Sequence, residues 1–316
     1  MYDIVVTEFV DRWAVDDLAK DYKVHYDPKL VDKPDELAAL AAASPAIIVR
    51  NRTQVRGAVL AAMRNLKVIG RLGVGLDNID MDECAKRGIE VFPATGANTV
   101  SVAEYVIGGA LVALRDVWKA NADVLAGKWP RNDLMLGEAM GKRLGLVGFG
   151  GIARATAKRA KALEMELVAC DPMVGPDDPA WNEYGVARLA TVEELLATSD
   201  VVSLHVPLTP QTRNLIDAAR LAKMKPTAIV INTARGGIID EAALAAALKA
   251  GKLGGAVLDV YDQEPLKAGS VLDGVPRLWL TPHIAGVTAE GNVRVSTVTV
   301  ANVRGALRRL GIAGSK

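Results

Sequence analysis

Short runs rich in β-branched residues alternate with alanine-rich amphipathic segments along almost the whole chain. This alternation is typical of parallel sheets whose strands are joined by crossover helices. At 316 residues, the chain is long enough for two such sheets, and a single large domain is the alternative. The sequence therefore predicts the α/β class, with two doubly wound parallel-sheet domains.

The first hundred residues predict one complete doubly wound unit. Its strands are expected at DIVVTEF, KVHYD, AIIVR, KVIGRLG and IEVFPA. Helices are expected between them at WAVDDLAKDY, PDELAALAAA, AVLAAMRNL and MDECAKRG. Pro34 suits the first turn of the second of these helices, and Asp80 is a suitable N-cap for the last.

A second alternating series follows a long helical stretch, which we expect to run from about Ser101 to Ala126. The strands of this series are predicted at KRLGLVGF, ELVACD, VVSLHVP, AIVINTA, GAVLDVY and LWLTP. A closing helix from about Thr288 to Leu310 indicates that the C-terminus returns to the first domain. We expect residues 1–98 and 284–316 to form one domain and residues 99–283 the other.

The composition excludes several classes of partner. There are 38 Lys and Arg residues against 37 Asp and Glu residues, a balance that argues against nucleic acid or a membrane surface as the partner. The longest apolar run, VIGGALVAL, falls well short of the ~20 residues that span a bilayer. Cys84 and Cys170 stand in no CxxC pair, so neither a disulfide framework nor a metal site is expected. We expect a cytoplasmic protein without a membrane segment.

The segment GLVGFGGIARATAKRAKAL contains the pattern GxGxxA at Gly148, Gly150 and Ala153, between an apolar strand and a helix. Gly148 permits a tight turn, and Gly150 lets a pyrophosphate approach the backbone. The helix that opens with Gly151 and Ile152 offers free amides and a dipole that favour an anion. The alanine at the third position still permits close packing of helix and strand.

The next strand, MELVACD, ends in Asp171, eighteen residues beyond Ala153. A carboxylate at this position can accept both hydroxyls of the adenosine ribose and repels a 2′-phosphate. No lysine or arginine occurs from Pro172 to Ala187 to neutralise such a phosphate. The sequence therefore predicts NAD, rather than NADP, as the cofactor.

Three polar residues follow apolar strands of the second series: Arg235, Glu264 and His283. The carboxyl ends of strands are where open α/β sheets bind ligands, so these residues are expected at one crevice. A guanidinium can grip a substrate carboxylate, and an imidazole oriented by a carboxylate can exchange a hydroxyl proton during hydride transfer. His205, which also ends a strand, is the rival for proton transfer, although no obvious carboxylate accompanies it in the sequence.

Five motifs in order resemble the D-isomer-specific 2-hydroxyacid dehydrogenase family: LGLVGFGGIA, HVPLTPQT, INTARGGIIDEAAL, GAVLDVYDQEPL and LTPHIAG. The resemblance extends upstream to GRLGVGLDNIDMDECAKRGIEVFPATGANTVSVAE. It implies that Arg235 binds the substrate, that His283 is the acid/base and that Glu264 is its partner. It also implies a Rossmann NAD domain, a flavodoxin-like substrate domain and a homodimer. The further residues that it implies for cofactor binding are Val206, Pro207, Thr233, Ala234 and Asp259.

The stretch VRNRTQVR bears on the substrate. By the same resemblance, the far end of the substrate meets Arg50, Arg52 and the amides around Val74 and Gly75. On an extended chain Arg50 and Arg52 would project to one side, and two guanidiniums suit a second anionic group. Arg56 is expected to face solvent. We predict a small anionic 2-hydroxy or 2-oxo acid, 3-sulfolactate or 3-phosphoglycerate, and VRNRTQV is more similar to sulfolactate-oxidising members.

Two other functions stay open at this point. A glyoxylate or hydroxypyruvate reductase linked to NADPH or NADH has the same motifs, although Asp171 disfavours NADPH. A non-enzymatic NAD-sensing protein of the corepressor kind could retain Arg235, Glu264 and His283. Turnover of a panel of 2-oxo acids separates a catalyst from a sensor.

Overall fold

The computed structural model describes residues 2–314. The chain divides into two compact units. Met1–Asn98 and Val287–Lys316 form one, called here the terminal unit, and Thr99–Gly286 form the other, the central unit. Each unit contains one parallel sheet, which confirms the predicted α/β class with two sheets. Within residues 2–314, no helix is both long enough and apolar enough to cross a membrane.

The strands are short and parallel to their neighbours. In chain order they are β1 (Ile4–Val6), β2 (Val24–Tyr26), β3 (Ala46–Val49), β4 (Val68–Arg71), β5 (Glu90–Pro93), β6 (Arg143–Val147), β7 (Glu166–Cys170), β8 (Ala187–Arg188), β9 (Val201–Leu204), β10 (Ile229–Asn232), β11 (Gly255–Leu258) and β12 (Leu278–Leu280).

Helices separate most of these strands, and a 3-10 turn spans Leu30–Asp32. In chain order the helices are α1 (Arg12–Leu18), α2 (Pro34–Ala42), α3 (Gly57–Ala62), α4 (Met81–Lys86), α5 (Thr99–Arg115), α6 (Val117–Leu125), α7 (Gly151–Ala162), α8 (Ala180–Tyr184), α9 (Val192–Thr198), α10 (Ala218–Leu221), α11 (Glu241–Lys249) and α12 (Ala289–Arg309).

The strand orders identify both architectures. The terminal sheet has the order β2-β1-β3-β4-β5, which is that of flavodoxin-like folds. The central sheet has the order β12-β11-β10-β9-β6-β7-β8, which is that of the Rossmann fold with one added strand. Both predicted architectures are therefore confirmed. In such sheets, ligands bind beyond the carboxyl ends of the strands, where the strand order reverses.

Both faces of each sheet are covered, and this explains why the strands are nearly continuous apolar runs. In β1, Ile4 and Val6 pack into one apolar cluster of the terminal unit with α12, while Val5 packs into the other with α2. All three side chains are completely buried. Successive side chains of a strand point to opposite faces, so a strand buried on both sides has few positions for polar residues.

The stretch predicted to be helical, from about Ser101 to Ala126, is helical but is divided into two helices. α5 ends at Arg115, and Asp116 has a left-handed backbone with φ of 43° before α6 begins. A residue in this conformation interrupts the helical hydrogen-bond pattern, and aspartate is among the non-glycine residues that tolerate it best. Two predictions at helix starts are confirmed: Asp80 accepts the N–H of Glu83 at 3.0 Å as the N-cap of α4, and Pro34 opens α2.

Candidate active site

A glycine loop joins β6 to α7 at the carboxyl edge of the central sheet. Gly148 has φ of 90°, and a Cβ atom added there would lie 2.6 Å from the carbonyl oxygen of His205. Both the left-handed backbone and the close approach to the end of β9 require glycine. The sheet is thus tightly packed where its strand order reverses.

The beginning of α7 is open, in contrast to Gly148. A Cβ added at Gly150 or Gly151 would meet no atom within 4 Å, and Gly150 is the N-cap of the helix. Ala153, one turn into α7, is completely buried in the core, as the GxGxxA pattern predicts. The free space and the unsatisfied amides at this helix N-terminus fit a pyrophosphate.

Asp171, directly after β7, is bound to the glycine loop. Its carboxylate accepts the backbone N–H of Phe149 at 2.7 Å and that of Met173 at 2.8 Å. From the other side, Nε of Arg154 donates to the carbonyl oxygen of Phe149 at 2.9 Å. Sequence reasoning missed this part of the site, because a buried phenylalanine and a helical arginine give no distinctive local pattern. Asp171 therefore sets the shape of the glycine loop.

Two buried polar atoms near this loop have no hydrogen-bond partner among the described residues: Nε2 of His205 and Oγ1 of Thr233. Unpartnered buried atoms occur elsewhere among the described residues too, for example Oγ of Ser203 and Oγ1 of Thr299, so the position of these two atoms matters more than their lack of a partner. They follow β9 and β10 at the same edge as the glycine loop. The neighbouring residues Val206, Pro207 and Ala234 continue this edge.

Burial lowers the pKa of His205 to about 4. The imidazole is therefore neutral at neutral pH, and it lacks the carboxylate that would raise its basicity. This makes His205 a poor rival to His283 for proton transfer.

Arg235 follows β10, and its backbone is held by Asn232, the last residue of that strand. Asn232, which is almost completely buried, donates from Nδ2 to the carbonyl oxygen of Arg235 at 2.8 Å and accepts the N–H of Ala234 at 3.0 Å. The next residue, Gly236, could carry no side chain, because a Cβ there would lie 1.8 Å from the carbonyl oxygen of Tyr261. The turn of Arg235 is therefore pressed against the segment after β11.

Glu264 and His283 form the pair that the sequence predicted. Nδ1 of His283 lies 2.7 Å from Oε2 of Glu264. Burial raises the pKa of Glu264, but its hydrogen bond to His283, with the nearby charges of His283 and Arg235, outweighs burial and leaves the pKa below its usual value. The imidazole is held through Nδ1, so Nε2 is directed away from the glutamate. β10, β11 and β12 are neighbours in the sheet, which brings the three predicted residues to one edge.

Asp259 has a structural role that the sequence did not predict. Its side chain is completely buried, and its oxygens accept the hydroxyl of Thr281 at 2.6 Å and the backbone N–H groups of Ile284 and Ala285 at 2.8 and 2.7 Å. Its carbonyl oxygen also accepts the N–H of His283 at 2.9 Å. Asp259 therefore holds the loop of His283, and the backbone of His283 is left-handed with φ of 57°. The implied role of Asp259 in cofactor binding stays a prediction.

The two arginines of the terminal unit point in different directions. β3 ends at Val49 and the chain then bends, so the alternation of an extended strand does not reach Arg52. Nη2 of Arg50 donates to Oδ1 of Asn292 on α12 at 2.8 Å, whereas Arg52 forms an ion pair with Asp32 in the 3-10 turn. The expectation that both project to one side is wrong, because these partners lie on elements that cover opposite faces of the sheet.

The rest of the predicted terminal-unit site is exposed. Arg56 is the residue before α3 and is exposed, as predicted. Val74 lies at the surface after β4, and Gly75 is half-buried beside it. Their backbone amides are therefore at the same carboxyl edge as Arg50 and Arg52.

A Rossmann sheet with an open glycine loop, and a carboxylate–imidazole pair beside an arginine, define the site of an NAD-dependent oxidoreductase. Residues 107–285 match the D-isomer specific 2-hydroxyacid dehydrogenase, NAD binding domain family. The chain belongs to the D-isomer-specific 2-hydroxyacid dehydrogenase family. It is thus an enzyme that interconverts 2-hydroxy and 2-oxo acids with NAD.

Known proteins resemble most of the chain. It is 55% identical over 308 residues to an (S)-sulfolactate dehydrogenase of Chromohalobacter salexigens, a match covering 97% of this chain and 99% of that protein. It is 41% identical over 300 residues to a D-3-phosphoglycerate dehydrogenase of Archaeoglobus fulgidus, covering 95% of this chain but 56% of that protein. The solved structure of a glyoxylate reductase from Paecilomyes thermophila superimposes with a TM-score of 0.85 at 30% identity, covering 97% of this chain and 95% of that one.

Proposed function

We propose that this enzyme interconverts 3-sulfolactate and 3-sulfopyruvate with NAD. The observation that carries the proposal is the 55% identity to an (S)-sulfolactate dehydrogenase along nearly the full length of both chains. The phosphoglycerate dehydrogenase relative is less similar, and little more than half of it is matched. Two arginines at the carboxyl edge of the terminal sheet agree with a substrate that carries a second strong anion.

The (S) descriptor is consistent with a D-specific family. In lactate the carboxyl group outranks the methyl group, and the D form is (R). In sulfolactate the sulfur atom makes the sulfomethyl group outrank the carboxyl group. The same arrangement in space is therefore named (S), so (S)-sulfolactate presents its hydrogen, hydroxyl and carboxyl groups as a D-2-hydroxy acid does.

We assign the proton transfer to His283. In the oxidation direction, Nε2 of His283 accepts the hydroxyl proton while the hydrogen on C2 leaves as hydride and the carbonyl double bond forms. NAD, when bound, accepts that hydride. Glu264 stabilises the imidazolium that results, since their 2.7 Å contact joins opposite charges once His283 is protonated. Arg235 binds the substrate carboxylate, for which a guanidinium offers two parallel donors.

We further propose that the central unit is the NAD domain and the terminal unit the substrate domain. The match of residues 107–285 to an NAD-binding domain family supports the first assignment. The cofactor is assigned to residues that border the open glycine loop and the neighbouring strand ends: Gly148, Gly150, Gly151, Ile152, Asp171, Val206, Pro207, Thr233 and Ala234.

The sulfonate is assigned to Arg50 and Arg52, with the amides of Val74 and Gly75. Their present partners can be exchanged at little cost. The ion pair of Arg52 with Asp32 is well exposed on both sides, and exposed pairs contribute only about 0 to 1 kcal/mol. Arg50 is bound to a neutral amide oxygen of Asn292, a weaker acceptor than a sulfonate.

The test is a comparison of kcat/KM for 3-sulfolactate, 3-phosphoglycerate, D-glycerate and D-lactate, in the wild type and in Arg52→Ala. We expect 3-sulfolactate to be preferred, and the preference to fall at least about tenfold in the variant. Arg64→Ala, an exposed arginine beyond α3, is the matched control and should keep the preference. Preference for lactate or glycerate, unchanged in Arg52→Ala, contradicts the proposal.

We also propose a cytoplasmic homodimer. Large apolar side chains are exposed on α6 and on the segment after it, and exposed apolar patches often mark protein interfaces. They are Val117, Val124, Leu125, Trp129 and Met135. A cytoplasmic setting agrees with the use of NAD and with two buried, unpaired cysteines. Light scattering should give twice the chain mass of 33.4 kDa, and a monomer at micromolar concentration contradicts the dimer.

A further inference from the structure

A buried carboxylate lies under the bend from Arg50 to Thr53, which carries the two arginines of the terminal unit. Glu8, two residues beyond β1, is only 4% exposed. Its oxygens accept the backbone N–H groups of Arg50, Arg52 and Thr53 at 2.9, 3.1 and 2.9 Å, and the hydroxyl of Thr53 at 2.7 Å. One side chain therefore collects four donors from a single bend of the chain.

The carbonyl side of the same bend is also held. Nδ2 of Asn78, which is buried, donates to the carbonyl oxygens of Arg50 and Thr53 at 3.0 and 2.7 Å. The hydroxyl of Thr7 lies 2.8 Å from that of Thr53. Three N–H groups and two carbonyl oxygens of this bend are thus bound by side chains distant in sequence, which leaves the bend one well-defined shape.

The charge of Glu8 alone does not suit a site for an anion. A carboxylate close to a bound sulfonate repels it, so a mere electrostatic role would weaken substrate binding. Glu8 can favour anion binding in two other ways. It fixes the shape of the bend, and its charge helps to keep Arg50 protonated. Burial lowers the pKa of Arg50, and the charges of Glu8 and Asp11 oppose that shift.

We propose that Glu8 is a positioning residue that sets the enzyme's specificity for an anionic substrate tail. By fixing the backbone bend from Arg50 to Thr53, it fixes where both arginine side chains begin, so that each guanidinium reaches the tail by rotation of its own side chain. That part of the backbone is thus pre-organised before the substrate arrives. The inference rests on the proposed function, since it assigns the tail to Arg50 and Arg52.

A positioning role and a purely electrostatic role of Glu8 predict opposite changes in KM for 3-sulfolactate in Glu8→Gln. The amide is similar in size, but it turns an NH2 group toward backbone donors and loses at least one hydrogen bond. If Glu8 positions the loop, KM for 3-sulfolactate rises about tenfold, the loss expected for one unsatisfied buried donor. If Glu8 acts only by repulsion, KM for 3-sulfolactate falls. KM for D-lactate, which lacks an anionic tail, should change less than about twofold under the positioning role.

The experiment measures kcat and KM of the full-length enzyme for 3-sulfolactate and D-lactate, in wild type, Glu8→Gln and Asp32→Asn. The last variant is the matched control, because it removes a carboxylate beside Arg52 without touching the loop backbone. We expect it to lower KM for 3-sulfolactate or leave it unchanged. A rise for 3-sulfolactate alone in Glu8→Gln supports the inference.

Equal rises for both substrates, or a fall for 3-sulfolactate, overturn it. If Glu8→Gln does not fold, Thr53→Val decides, because it removes the hydroxyl bond to Glu8 and the hydroxyl contact with Thr7 while leaving the three backbone bonds to Glu8 in place. It should raise KM for 3-sulfolactate about threefold, and no rise overturns the inference.

A wild type without preference for 3-sulfolactate contradicts the proposed function and the inference together. A wild-type preference that is lost in Arg52→Ala but kept in Glu8→Gln removes the inference alone.

Discussion

The carboxylate of Asp171 accepts the backbone N–H of Phe149 at 2.7 Å, so the acidic residue that ends β7 also holds the glycine loop that follows β6. The loop and its acid are therefore one unit before any cofactor is bound. If Asp171 accepts a ribose hydroxyl, as we propose, the position of its carboxylate is already fixed, which reduces the entropy that binding costs.

Asp171→Ala is expected to raise KM for NADH at least about tenfold, because it removes both the ribose acceptor and the support of the loop. Discrimination against NADPH should fall with it, since the repelling charge is lost. Steady-state kinetics with both cofactors check this. Asp177→Ala, an exposed acid of the same segment, should behave as wild type, and an unchanged KM for NADH in Asp171→Ala contradicts the assignment.

His283→Ala is expected to lower kcat by about 10²- to 10⁴-fold, the usual contribution of a general acid or base. The affinity for NADH, measured by fluorescence titration, should stay within about twofold, because the imidazole acts on the substrate hydroxyl. His25→Ala, in β2 of the terminal unit, serves as the control. Equal loss of cofactor affinity and of turnover would show that His283 belongs to the cofactor site instead.

Asp259→Asn is expected to lower kcat while NADH affinity is kept. The amide can no longer accept from every donor around it, so one buried donor loses its partner at a cost of about 1 to 3 kcal/mol, and the loop of His283 loosens. Thermal unfolding, turnover and NADH titration test this together. Asp262→Asn, an exposed neighbour, is the control. A large loss of NADH affinity with normal stability would show that Asp259 acts mainly in cofactor binding.

Stability should fall with acid because of His205. Its pKa is about 4 in the folded protein and about 6.5 in an unfolded chain, so the unfolded chain binds the extra proton between these values. Its contribution is therefore complete above pH 6.5 and is lost toward pH 4, by at most about 1.4 kcal/mol per pH unit. Urea unfolding at several pH values should give a shallower slope for His205→Gln than for wild type or His25→Gln. Identical slopes contradict the prediction.

Much of the fold and of the candidate site could be predicted from the sequence, because both depend on patterns among residues that are close together in the chain. Alternation of apolar strands with amphipathic helices specifies the class, and the glycine pattern with Asp171 specifies the cofactor. Arg235, Glu264 and His283 could be found because each follows an apolar strand, and parallel strands bring their carboxyl ends to one edge.

Other features depend on contacts between residues far apart in the chain, and only the tertiary structure decided them. Glu8 binds a loop more than forty residues away, and Asp259 binds one more than twenty residues away. Nothing in the sequence around Glu8 distinguishes it from a solvated surface residue, and the motif around Asp259 indicates a cofactor residue but not its bonds to the loop of His283. A buried carboxylate is stable only where the fold supplies hydrogen-bond donors. The donors of Glu8 and Asp259 come from distant loops, so only the tertiary structure shows that Asp259 binds the loop of His283 and that Glu8 lies beneath the arginines.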